Sequence, residues 1–206
     1  MNTQNSQNIK MSENIIIVDA DYIDKVAFNL IVNFERMLNR KIPAADFSQW
    51  IVDVALDGRL KPGNHETQVV LLHDKNKATL ENFVPSDFQR ELDKQAFADE
   101  KLGEFIINTT ATGSALAEKD DVLLDVLRIA LSHDEVHRIM LVPNAEEGNI
   151  CSVIRNTVKD VDDEHKHITL FAMMPMEEGN FKQQILGYSL MNAMGITSQE
   201  IDKSIR

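Results

Sequence analysis

Ile15-Ile16-Ile17-Val18-Asp19-Ala20-Asp21 is a run of four branched apolar residues that ends abruptly on two aspartates. Four such residues in a row, with no polar alternation, predict a strand buried on both faces, as in a parallel sheet. An amphipathic pattern follows at once. Ile23, Val26, Leu30, Phe34 and Leu38 recur at helical steps and would form one face of a long helix. In an open α/β sheet, ligands bind in the crevice beyond the carboxyl ends of the strands, and Asp19 and Asp21 are expected there. Carboxylates in such a place can hold Mg²⁺ or Mn²⁺, attack a phosphoryl group, or cap the helix that follows.

Working outward, Pro43 suits the first turn of a second helix with the core stripe Phe47, Trp50, Ile51 and Val54, ended by Gly58. A second strand is expected over 67–72, with His73 and Asp74 at its tip. Ser86 and Gln89 have capping-box spacing ahead of Phe88, Leu92 and Phe97, which predicts a third helix. Strand three is expected over 104–108, a polar loop over 109–114 and a fourth helix over 118–131. Strand four is Arg138–Val142, after which Asn144 and Glu147 have N-cap spacing for a helix carrying Ile150, Ile154 and Val158. Strand five falls at 168–173 and a last long helix at 181–194, stopped by Gly195. Thr197 and Glu200 then form one more capping box. Alternating strands and helices imply parallel βαβ units. The expected fold is a three-layer α/β/α sandwich around a mainly parallel five-stranded sheet, Rossmann-like or PIN-like, as a single domain over 14–206.

Composition narrows the function classes. The 206 residues are 43% hydrophobic, ample for one core, and carry a net charge of −12. Such a surface disfavours broad, non-specific binding to nucleic acid or anionic membrane, which both lean on a positive field. A single cysteine, Cys151, cannot form an internal disulfide, which fits a reducing compartment, and a cytoplasmic location is the expectation. No apolar stretch approaches the roughly 18 residues needed to span a bilayer. The first 13 residues, rich in Asn, Gln and Ser, are expected to be unstructured.

The order of elements resembles the PIN-like nuclease folds, and within them the NYN domains. Three stretches carry the likeness: Ile15–Asp19, then Lys119-Asp120-Asp121-Val122-Leu123-Leu124-Asp125, then Ile139-Met140-Leu141-Val142-Pro143-Asn144-Ala145-Glu146-Glu147. The resemblance implies an acidic cluster that binds Mg²⁺ or Mn²⁺ and activates water against RNA. By position it implies Asp19 and Asp125 as catalytic residues. Asp21, Asp121 and Glu147 would complete the metal ligands. From their own positions, Lys75 and Lys77 after strand two could grip a phosphate of the substrate, and Asn144 is a helix cap or an anion contact. The sequence departs from that pattern where it matters. Ala145 stands at the first aspartate of the family's acidic turn, and Pro143 and Asn144 replace its serine and glycine. The asparagine expected shortly after Asp19 is missing, with Asp21 or Asp24 nearby instead. These departures leave open a non-catalytic binding or assembly module of the same fold.

Asp19-Ala20-Asp21 also resembles the first motif of haloacid dehalogenase-type phosphatases, with Asp19 as nucleophile and Asp21 as acid/base, although here Lys119 is adjacent to the acidic pair that should stand apart from it. His133-Asp134-Glu135-Val136-His137 differs from the zincin His-Glu-x-x-His by one place, so a zinc site is the minor reading beside a solvated loop. The final apolar helix suits packing on the sheet, with pairing to a second copy as an addition.

Overall fold

Every residue of strand β1 (Asn14–Asp19) is buried, and the strand is the centre of a seven-stranded sheet. The computed structural model describes residues 11–162 and 164–204. After β1 come α1 (Ala20–Leu38), the two-residue strand β2 (Ala45–Asp46), α2 (Phe47–Asp57), β3 (His65–Asp74) and β4 (Phe83–Val84). Next are β5 (Ala96–Asp99), β6 (Gly103–Thr112), α3 (Leu116–Ser132), β7 (Arg138–Val142) and α4 (Ile150–Val158). The described chain closes with β8 (His167–Ala172), β9 (Lys182–Ile185), α5 (Leu186–Ala193) and α6 (Ser198–Ser204).

The strand order is β5-β6-β3-β1-β7-β8-β9, with β2 and β4 forming a small separate pair. All neighbours in the large sheet are parallel except β5, which runs antiparallel along β6. Ile16 lies between Val69 of β3 and Met140 of β7. The chain builds β3 and β6 on one side of β1, then crosses to lay β7, β8 and β9 on the other. The sheet therefore reverses direction of growth between β1 and β7, and Asp19 stands at the carboxyl end of that switch point.

Alternation along β1 separates two cores. Ile16 and Val18 face a core that includes Tyr22 of α1, Trp50 of α2 and Leu190 of α5. Ile15 and Ile17 face the other, with Leu123 and Leu127 of α3 and Ile154 of α4. Helices thus cover both faces, which is the expected three-layer arrangement around a mainly parallel sheet.

Five strands are too few. The five expected ones are all present, and β5 and β9 extend the sheet at its two edges. The third helix does not form. Asp87, rather than Ser86, accepts from the N–H groups of Gln89 and Arg90, and a single π-helical turn, Phe88–Leu92, follows. Lys94 then adopts a left-handed φ of 58° and turns the chain into β5. Phe97 stacks on Phe105 of β6, with ring centroids 5.0 Å apart, so its apolar side is satisfied by a strand partner. The 109–114 loop is mostly strand, because β6 stays paired with β3 as far as Thr112. The long last helix is also corrected: its first part is β9, paired with β8, and only Leu186–Ala193 is helical. Pro43 is not in the first turn of α2, which starts at Phe47 with Asp46 as its N-cap.

The leader expected to be unstructured, 1–13, overlaps the described residues at 11–13. Residues 1–10 of it lie outside the described residues, but Met11 and Ser12 are buried, and the Ser12 hydroxyl donates to Glu66 at 2.7 Å. Among the described residues, no helix is long and apolar enough to cross a membrane.

Candidate functional site

The carboxyl end of β1 passes into α1 without a loop, and this fixes the two opening aspartates differently. Asp19 is the N-cap: its Oδ1 accepts from the Tyr22 N–H at 3.0 Å, satisfying one of the free donors at the helix start. Asp21 reaches sideways to β3, where its Oδ2 accepts from the Asp74 N–H at 2.8 Å. Asp74 is in turn fixed by the Asn76 N–H and the Ser114 hydroxyl. A third aspartate, Asp24, is buried one turn on and accepts from the Asn82 N–H at 2.8 Å. It ties α1 to the segment before β4.

Between Asp19 and Asp21 lies a lysine. The Lys119 Nζ, from the first turns of α3, donates to Asp19 Oδ1 at 3.1 Å and to Asp21 Oδ2. Asp19 is 2% exposed, and the lysine and Asp21 side chains are 10% and 15% exposed. Lys77 approaches Asp21 Oδ1 from outside at 3.5 Å. The cluster therefore joins the ends of β1 and β3 to the start of α3. Burial pushes the Asp19 carboxyl above the ordinary carboxylate range, and the neighbouring ammonium pulls the other way. Burial opposes the Lys119 charge too, yet Asp19 and Asp21 outweigh it and hold the ammonium above the usual lysine value. Asp120 is pushed up to about 6, first by burial and then by the Asp19 charge.

The other expected ligands are elsewhere. Asp121 and Asp125 do share one face of α3, as their spacing implied, but it is the outer face. Asp125 is 70% exposed and pairs with Arg128 at 2.9 Å. Glu147 is exposed and bound to Lys25 at 2.6 Å. Asn144 is buried and its Oδ1 accepts from the Glu146 N–H in a tight turn, so it does not start the next helix, which begins at Ile150. Among the described residues, no group of three or more His, Cys, Asp or Glu side chains is placed to hold a metal ion. The donor set at the switch point does not fit a divalent ion as it stands, because the place between its two carboxylates is taken by an ammonium. Asp19 is engaged by both the α1 backbone and Lys119. The histidine pair is likewise apart from any such group: His133 Nδ1 lies 3.1 Å from Glu135, and His137 is exposed.

Lys119 is the residue the sequence reading passed over. A signal for it existed. Lys119, Leu123, Leu127 and Ala130 follow helical steps of four and three, and all are buried. A lysine at the head of the inward stripe implies a buried acidic partner, and the strand-end aspartates were the available ones.

Beside the cluster, a cavity of about 360 Å³ opens at the end of β3, lined in part by Lys75, Lys77, Gln89 and Arg90. Its floor is His73, whose ring stacks on Phe88 at 3.9 Å between centroids. Lys77 belongs to both cavity and cluster.

The sheet order and the strand-end cluster define an α/β protein with a Rossmann-like strand arrangement and a lysine-bridged acidic pair at its switch point. The chain belongs to DUF6621, a family of unknown function, whose pattern spans residues 8–201. No curated protein and no solved structure matches it.

Proposed function

We propose that this chain is a divergent PIN/NYN-like protein whose acidic centre has been rebuilt around a lysine, and that it works as a binding or assembly module rather than as a metal nuclease. One observation carries the reading: Lys119 Nζ sits between Asp19 and Asp21, where an ion would otherwise have to be held. The ammonium neutralises the pair and gives it hydrogen-bonded partners, so the buried carboxylates serve to join β1, β3 and α3. Ala145 at the turn after β7 agrees with this, since it brings no carboxylate to the crevice.

The second reading is a Mg²⁺- or Mn²⁺-dependent ribonuclease at the same place. It is favoured by the cavity lined by Lys75, Lys77 and Arg90, with Asp87 among them, because Lys77 also approaches Asp21 and the cations could meet an RNA phosphate. The two readings separate in a cleavage assay on rigorously purified protein with a panel of RNAs and either metal. The binding-module reading expects no turnover above that of an Asp19→Asn control. Metal-dependent cleavage that disappears in Asp19→Asn would replace it with the nuclease.

A further inference from the structure

At the opposite end of the sheet, where β7, β8 and β9 begin, a cavity of about 320 Å³ is bordered by Arg59, Lys61, Arg138, Lys166 and Lys182, with Phe181 as an apolar wall. Among the described residues, no carboxylate lines it. The chain has 33 acidic residues against 21 basic ones, so five cations round one cavity with no acid among them is a local reversal of the molecule's charge. Among the described residues, the ion pairs use other cations, and none of these five is within pairing distance of a described carboxylate.

The rim is constructed rather than merely exposed. Arg138 is the first residue of β7, and its Nη1 donates to the Gly58 carbonyl at 2.6 Å. Gly58 itself packs against Met140, whose side chain fills the space a Cβ there would need. Arg59 follows in a left-handed conformation, φ 63°, and stands close enough to Arg138 for its charge to add to burial in pulling the Arg138 guanidinium below its ordinary value. The carboxylate whose field reaches Arg138 is Glu13, which is itself bound to His65 at 2.5 Å. Lys166 is anchored by donating to the carbonyls of His133 and Val136. Arg59 and Arg138 are therefore held near one another, and the carboxylates that act on the rim, Glu13 on Arg138 and Asp134 and Glu135 on Lys166, do so from beyond ion-pairing distance. An anion that accepts several charge-assisted hydrogen bonds would relieve this repulsion.

We infer that this cavity binds a small molecule bearing a polyphosphate chain, with the basic rim taking the phosphates. The volume is at the lower end for a small-molecule site, enough for a nucleotide-sized ligand. The net charge of −12 disfavours a long polyanion tracking across the surface, so a nucleic acid is the poorer fit. Phe181 offers a wall for a ring, which distinguishes a nucleoside polyphosphate from inorganic polyphosphate. The inference rests on the binding-module reading and names its ligand class, but it fails separately. The residues lie at the other end of the strands from Asp19, Asp21 and Lys119.

The test is isothermal titration of the full chain with ATP, inorganic tripolyphosphate and a 12-nucleotide RNA, without divalent metal and at fixed ionic strength, on wild type and Arg59→Glu/Lys182→Glu. Both substituted residues are exposed, and an unchanged melting temperature without ligand verifies that the variant folds. The expected result is a Kd for ATP or tripolyphosphate below about 100 µM, weakened at least tenfold in the variant. Tighter binding of ATP would assign the nucleoside, and equal binding the phosphate chain alone; both support the site. No binding tighter than about 1 mM, binding unchanged in the variant, or RNA bound more than tenfold tighter than ATP would overturn it.

Discussion

Removing the Lys119 ammonium would leave Asp19 and Asp21 beside one another with only the more exposed Lys77, 3.5 Å from Asp21, as a counter-charge. Breaking a buried pair from one side typically costs about 3–5 kcal/mol, so Lys119→Met is expected to lose at least about 3 kcal/mol in urea unfolding. Adding Asp21→Asn to that variant should recover part of the loss. A loss under about 1 kcal/mol would mean that the lysine is not a structural partner of the two acids. Asp120 makes a prediction of opposite sign. Its carboxyl is raised from 3.8 to about 6 in the folded chain, so the folded state binds a proton more tightly than the unfolded state. Its contribution is therefore favourable at low pH and is lost as pH rises through about 6. Asp120→Asn should raise the melting temperature at pH 7.5 and have little effect near pH 4. The gain is on the order of 1 kcal/mol, because solvent screens a group that is not fully buried.

Elements were legible where a long periodic segment carried its own signal. The strand Arg138–Val142 and the capping box at Thr197 and Glu200 are as the sequence implied, the latter with the Thr197 N–H donating to Glu200 at 3.0 Å. The segment 86–99 was misread because Phe88, Leu92 and Phe97 look like one helical stripe. The chain divides them instead: Phe88 and Leu92 go into the core, and Phe97 packs on a strand. That division depends on β6 as a neighbour, which no local pattern specifies. Gly103, at the start of β6, is where the sheet constrains the sequence most tightly. It has φ 89°, and a Cβ would come within 2.2 Å of the His65 carbonyl oxygen on β3. Gly103→Ala should therefore combine backbone strain with a backbone clash and lose about 2–4 kcal/mol in chemical denaturation. A near-neutral result would mean that β3 and β6 are not in the register that pairs His65 with Gly103.

At the scale of the whole molecule, the three-layer α/β frame and the position of Asp19 were readable from alternation alone, because buried parallel strands are near-continuous apolar runs. The site was less readable. Asp121 and Asp125 were correctly placed on one helix face, but which face turns inward is decided by the buried stripe that begins at Lys119. The stripe signals that Lys119 is buried, but its pairing with acids one hundred residues away is fixed by the sheet that brings β1 beside α3. The resulting charge layout has two poles. The carboxyl ends of the strands hold an acidic pair neutralised from within, and the amino ends of β7 to β9 hold a cationic rim without acids.

The most direct test of the lysine-bridged centre is a Mn²⁺ titration of the wild-type chain, read by isothermal calorimetry and by the paramagnetic resonance of free Mn²⁺, with Asp19→Asn as the control. The expected result is no stoichiometric binding tighter than about 1 mM in either protein, because Lys119 occupies the space between the carboxylates. One Mn²⁺ bound per chain with a Kd below about 100 µM, and lost in Asp19→Asn, would contradict it and restore a metal centre at the end of β1.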